Sequence, residues 1–72
     1  MSDPPETELE MLRRHVREGQ SRVALQISII ETLEEGNHTE ATALARRVLA
    51  VMRTSLNMGK QHLLRVELRS KL

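Results

Sequence analysis

Three side chains in this sequence could exchange a proton near neutral pH and also ligate a metal: His15, His38 and His62. His15 and His62 sit in helix-like stretches, RRHVREGQ and GKQHLLRV. If the chain folds back on itself about residues 36–37, His62 comes opposite Met11, one turn from His15, at the edge of an apolar stripe. A shared metal would need further ligands, and no carboxylate stands at ligand spacing from either histidine. Phosphotransfer is the other histidine chemistry. Its histidines commonly have an acidic neighbour, whereas His15 precedes Val16-Arg17 and His62 precedes Leu63-Leu64. Nor does an ATP-binding or receiver segment accompany them. His15 and His62 therefore read as boundary residues with local hydrogen bonds, and His38 as an exposed turn residue.

Other chemistry is excluded by what the chain lacks. There is no cysteine, so neither a disulfide nor a thiolate metal site is available. Ser2, Ser21, Ser28, Ser55 and Ser70 have no evident base. No glycine-rich loop follows a strand, so phosphate cradling is not indicated. The methionines beyond the first read as aliphatic core. No catalytic, cofactor-binding or metal-ligating residue is assigned, and the chain reads as a non-enzyme. The arginines are the remaining candidates. Arg46, Arg47, Arg53 and Arg65 share one half of a helix, which could follow a phosphate backbone. Against this stand a formal net charge of only +1 and no Phe, Tyr or Trp to stack on bases. A solvated charged face is the simpler reading.

The elements that must position these residues are helices. Asp3-Pro4-Pro5-Glu6 has the form of a helix start, with Asp3 as cap, Pro4 in the first turn and Glu6 at the capping-box position. The first helix is expected over about 4–35, stopped by Gly36 in a left-handed conformation. A turn over 36–39 follows, with Asn37 or Thr39 capping a second helix over about 40–69. The result is one domain spanning 1–72, an all-α antiparallel two-helix hairpin.

Apolar periodicity sets the packing. Leu9, Leu12, Val16, Gly19, Val23, Ile30 and Leu33 recur at spacings of three and four, skipping Gln26, with Leu25 and Ile29 off the stripe. On the second helix the apolar residues cover about half the cylinder, more than one partner helix needs. A fold about Gly36–Asn37 pairs Leu33 with Ala41, Ile30 with Leu44, Val23 with Val51 and Gly19 with Ser55. That leaves Leu25, Ile29, Ala45, Leu49, Met52, Leu56 and Leu63 as an oligomer interface. Two hairpins forming a two-fold four-helix bundle would cover it. Residues 1–40 hold 4 basic and 9 acidic side chains, net −5, and residues 41–72 hold 7 basic and 1 acidic, net +6. Opposite-sign arms favour antiparallel packing within and between hairpins.

The stretch EEGNHTEATALARRVLAVMRTSLNMGKQHLLRV resembles a group of very short alpha-proteobacterial helical-hairpin proteins. Their shared pattern maps onto Gly36, Asn37, Thr39, Leu49, Met52, Ser55, Leu56, His62 and Leu63, and RRHVREGQSRVALQISIIETLE is similar to their first helix. The resemblance spans about residues 13–66. It implies a small bacterial cytoplasmic hairpin without an assigned activity and brings no catalytic residues. The acidic start MSDPPETE does not look like a secretory leader, and the longest apolar run, Val48–Met52, is far too short to span a bilayer. The expectation is a cytoplasmic homodimer acting as a protein-interaction or regulatory module on an unidentified protein. Membrane binding is not expected, and cofactors are none. The alternative is a nucleic-acid-binding hairpin dimer using the arginine face of the second helix.

Overall fold

The computed structural model describes residues 5–72. Two helices account for most of them: α1, Glu8–Glu35, and α2, Thr39–Ser70, packed as an antiparallel hairpin. The hairpin expected from the sequence is present, with its ends shifted.

The first helix starts later than expected. Asp3 and Pro4 lie outside the described residues. The cap is Thr7, in extended geometry at φ −71° and ψ 160°. Its Oγ1 accepts from the Glu10 backbone N–H at 3.1 Å and donates to Glu10 Oε1 at 3.0 Å. Thr7-Glu8-Leu9-Glu10 thus has the same Ser/Thr-x-x-Glu spacing as a capping box, closer to the apolar stripe than the Asp3 candidate. Glu6 precedes the helix and pairs instead with Arg14, which donates through Nε at 3.0 Å and Nη2 at 2.9 Å. Arg14 also reaches Glu18 at 3.0 Å, so one guanidinium ties the entering segment to the second turn.

The turn also corrects the expectation. Gly36 is not left-handed, at φ −84° and ψ 1°; the left-handed residue is Asn37, at φ 58°. The His38 N–H bonds to the Leu33 carbonyl at 3.0 Å and the Asn37 N–H to that of Glu34 at 3.1 Å. These are the two bonds of a Schellman motif with Asn37 as its left-handed residue, a conformation asparagine tolerates. Glycine at 36 serves space rather than backbone freedom. A Cβ there would stand 2.7 Å from His38 Cδ2. Neither Asn37 nor Thr39 caps α2. His38 holds the cap position without a side-chain bond, and Thr39 is already helical.

The hairpin is a slab one helix thick. Its principal extents are 51 × 32 × 13 Å, and a helix with its side chains is roughly 10–12 Å across. Its radius of gyration is 16.5 Å, where a compact chain of this length would have about 11 Å. The chain exposes 5922 Å² at a mass of 8.2 kDa, against roughly 4500 Å² for a compact monomer of that mass. The core is correspondingly thin. Ile30, Ala45 and Leu49 form its centre, with Val23, Ile27 and Leu33 against them, and Leu12 and Val66 are buried nearer the open end. Among the described residues no side chain is sealed completely from solvent.

Candidate interaction surface

α2 carries two apolar seams, and the structure shows which one faces α1. The inner seam is Thr42, Ala45, Leu49, Met52, Leu56, Gly59, Leu63 and Val66, all buried or half-buried. The second is Leu44, Val48, Val51, Ser55, Met58 and His62, all exposed. Each member of the second seam precedes a member of the first, which places it about 100° around the helix. The register expected from the sequence is therefore corrected. Leu44 and Val51, expected against α1, are 61% and 70% exposed. Gly19 meets Leu56 rather than Ser55: a Cβ on Gly19 would stand 2.9 Å from Leu56 Cδ1.

Residue size explains the choice. The inner seam holds Ala45 and Gly59, small residues that let two backbones approach, and Leu56 fills the space left by Gly19. Gly59 lies opposite Val16, with 4.0 Å between a built Cβ and Val16 Cγ2. Gln26, the polar interruption of the α1 stripe, has a defined partner. Its Nε2 donates across the hairpin to the Ala45 carbonyl at 2.9 Å. This half-buried bond across the hairpin favours one register, because sliding the helices would leave the amide unpaired.

The seven residues assigned to an oligomer interface separate accordingly. Leu25 and Ile29 are open to solvent, at 63% and 42% exposure. Ala45 and Leu49 are core, and Met52, Leu56 and Leu63 are half-buried against α1 within the same hairpin. Periodicity marked a half-cylinder of apolar surface but not which of two adjacent seams turns inward.

The second seams of both helices open on one broad face. A shallow groove there is bordered by His15, Glu18 and Arg22 of α1 and by Val51, Ser55 and His62 of α2. These α1 residues continue through Leu25 and Ile29 at spacings of three and four. His62 Nε2 lies 3.8 Å from Glu8 Oε1. Among the described residues no three His, Asp or Glu side chains gather as a metal site. The serine hydroxyls of Ser28 and Ser70 donate to carbonyls one turn back in their own helices.

The opposite face is charged toward the turn, while toward the open end the same side of α2 carries the exposed Leu64 and Leu68. Glu31 and Glu34 of α1 border it with Arg46 and Arg53 of α2, and Arg46 is hydrogen-bonded to Glu34. Nearer the open end Arg13 lies 3.8 Å from Glu67. On α1, Arg14 and Arg22 both approach Glu18, at 3.0 and 3.9 Å. The hydrogen bond from Arg14 holds the Glu6 carboxyl below its ordinary range, and burial and the nearby positive charges are smaller influences. The same pairing raises the pKa of Arg14.

No helix of the described residues is long and apolar enough to cross a membrane. No protein-family model matches the chain, and neither a curated protein nor a solved structure is significantly similar to it.

Proposed function

We propose that the chain is a non-enzymatic, self-associating helical hairpin that serves in the cytoplasm as a protein-interaction or regulatory module. One observation carries the reading: a slab one helix thick presents a second apolar seam, with Val51 70% and Leu25 63% exposed, on a single face. Monomers rarely leave such a face in water, because each square ångström of apolar surface covered is worth roughly 25 cal/mol. Covering it with an identical face makes a four-helix bundle and supplies the second layer a lone hairpin lacks. The interface we propose differs from the one expected from the sequence. Leu25 and Ile29 remain in it, and Leu44, Val48, Val51 and Met58 take the place of the inward-facing residues of α2.

Thermal unfolding followed by circular dichroism over a hundredfold range of chain concentration tests this. When folding is coupled to association, the midpoint rises with concentration. A midpoint independent of concentration would refute self-association. Nucleic-acid binding is the competing reading. Of its arginines on α2, Arg46 is engaged with Glu34, while among the described residues Arg47, Arg53 and Arg65 have no acidic partner at ion-pair distance; what weighs against the reading is the formal net charge of only +1. Retardation of duplex RNA or DNA at micromolar protein and physiological salt, abolished by replacing Arg46, Arg47 and Arg53 with Gln, would establish that reading instead.

A further inference from the structure

We infer that Met58 is an oxidation site that regulates the open apolar face: its conversion to the sulfoxide by a peroxide weakens self-association. This rests on the dimeric reading above and adds a control to it. The chain has four methionines and no Cys, Trp or Tyr, so thioether sulfur is the group most open to two-electron oxidation. Met1 lies outside the described residues, and the structure separates the other three. Met11 and Met52 are half-buried, and Met52 lines the groove that Val16 and Gly19 of α1 also line. Met58 is 65% exposed. The shallow hollow beside it is bordered by Ala50, Val51, Thr54 and Ser55, all of α2, and by no residue of α1.

The chemistry requires only the thioether and a peroxide. A lone pair of Met58 Sδ attacks one oxygen of hydrogen peroxide. The S–O bond forms as the O–O bond breaks, and the departing hydroxide takes the proton of the transferred oxygen and leaves as water. Sulfur gives up two electrons and the peroxide accepts them. An apolar, flexible side chain becomes a polar one.

The consequence follows from where Met58 stands. It shares its seam with Leu44, Val48 and Val51, one turn or more along the same side of α2. Covering that seam with a second copy costs the thioether nothing, but it takes the sulfoxide oxygen away from the water that solvates it. The effect runs both ways. A covered seam shields Met58 from peroxide, so the dissociated chain is the form that reacts, and the oxidised chain is held dissociated. Oxidation of Met52 would instead act on the inner seam and on the hairpin itself.

The test treats the wild-type, Met58→Leu and Met58→Gln chains with hydrogen peroxide. Mass spectrometry of tryptic peptides locates the oxidised residues, because Met52 falls in the peptide 48–53 and Met58 in 54–60. Sedimentation equilibrium reads association, and circular dichroism confirms that the helices persist. At the lowest concentration that keeps the helices intact, Met58 should react several-fold faster than Met52. The oxidised wild type should associate at least about tenfold more weakly than the untreated chain. Met58→Leu keeps the apolar volume without the sulfur, so its association should stay within about threefold of the untreated wild type before and after peroxide. Met58→Gln should weaken association without peroxide. Equal reactivity of Met52 and Met58 would overturn the assignment, as would an equal loss of association in Met58→Leu. A dimer indifferent to Met58 oxidation would overturn the inference and leave the dimeric reading standing. An untreated wild type that is monomeric at every concentration would overturn both.

Discussion

On one broad face of the slab, Leu44, Val48, Val51 and Met58 of α2 stand beside Leu25 and Ile29 of α1. On the other, Glu31 and Glu34 stand beside Arg46 and Arg53. Both faces border the same inner seam and belong to the same two helices. A helical hairpin thus distributes its tasks by angle around each helix. One sector builds the hairpin, the next is apolar and exposed, and a third carries acid–base couples such as Glu34–Arg46. Such exposed couples contribute roughly 0–1 kcal/mol each, so the charged face adds little stability and keeps that side in water.

Charging one face and then the other should have very different effects. Val51→Glu places a carboxylate in the middle of the apolar face, where a partner would have to bury it unpaired. Self-association should weaken by about a hundredfold or more in sedimentation equilibrium, with helicity kept at high concentration. Arg53→Glu on the charged face should leave the association constant within about threefold. Equal effects from the two variants would erase the distinction between the faces.

Next in size is the inner seam. Leu49 belongs to the core with Ile30 and Ala45. Leu49→Ala should cost about 2–3 kcal/mol, toward the low end for buried leucines because this thin core can partly collapse. Chemical denaturation measures it. A loss below about 0.5 kcal/mol would mean that Leu49 is not core.

Two glycines on the inner seam give smaller effects of opposite sign. Gly59 has ordinary contact room toward Val16, so Gly59→Ala should gain up to about 1 kcal/mol from helix propensity. Gly19 is filled by Leu56, and Gly19→Leu should cost roughly 1–3 kcal/mol by overpacking. A stabilising Gly19→Leu would show that the register is wrong.

The smallest effect is pH dependence at the entry to α1. The Glu6 carboxyl is held below its ordinary value of 4.5, so its contribution is present above that pH and is lost as pH falls through the depressed value. Arg14→Gln should remove this component. Its titration, followed by NMR of the Glu6 carboxyl, should then return to the ordinary value, and an unchanged titration would remove Arg14 as the cause.

The hairpin, its turn and the surplus of apolar surface on α2 were legible in the sequence, because periodicity, Gly36-Asn37 and the capping signals are local. Other details failed. Thr7-Glu8-Leu9-Glu10 carries the capping-box spacing of the actual helix start, whereas the expected start rested on Asp3 and the prolines after it. Gly36 looked like the left-handed residue, but space for the His38 ring decided its role and passed the conformation to Asn37. Leu44-Ala45, Val48-Leu49 and Val51-Met52 each offer one member to either seam. Only three-dimensional packing, with Gly19 receiving Leu56 and Gln26 reaching the Ala45 carbonyl, selects between them. Gln26 was the one sequence signal of the correct register, and it read only as a gap in the stripe.

The most direct test is the mass of the wild-type chain in solution, measured by light scattering coupled to size exclusion at micromolar concentration and physiological salt. The account predicts twice the 8.2 kDa chain mass. A helical species at 8.2 kDa, unchanged as concentration rises, would contradict it.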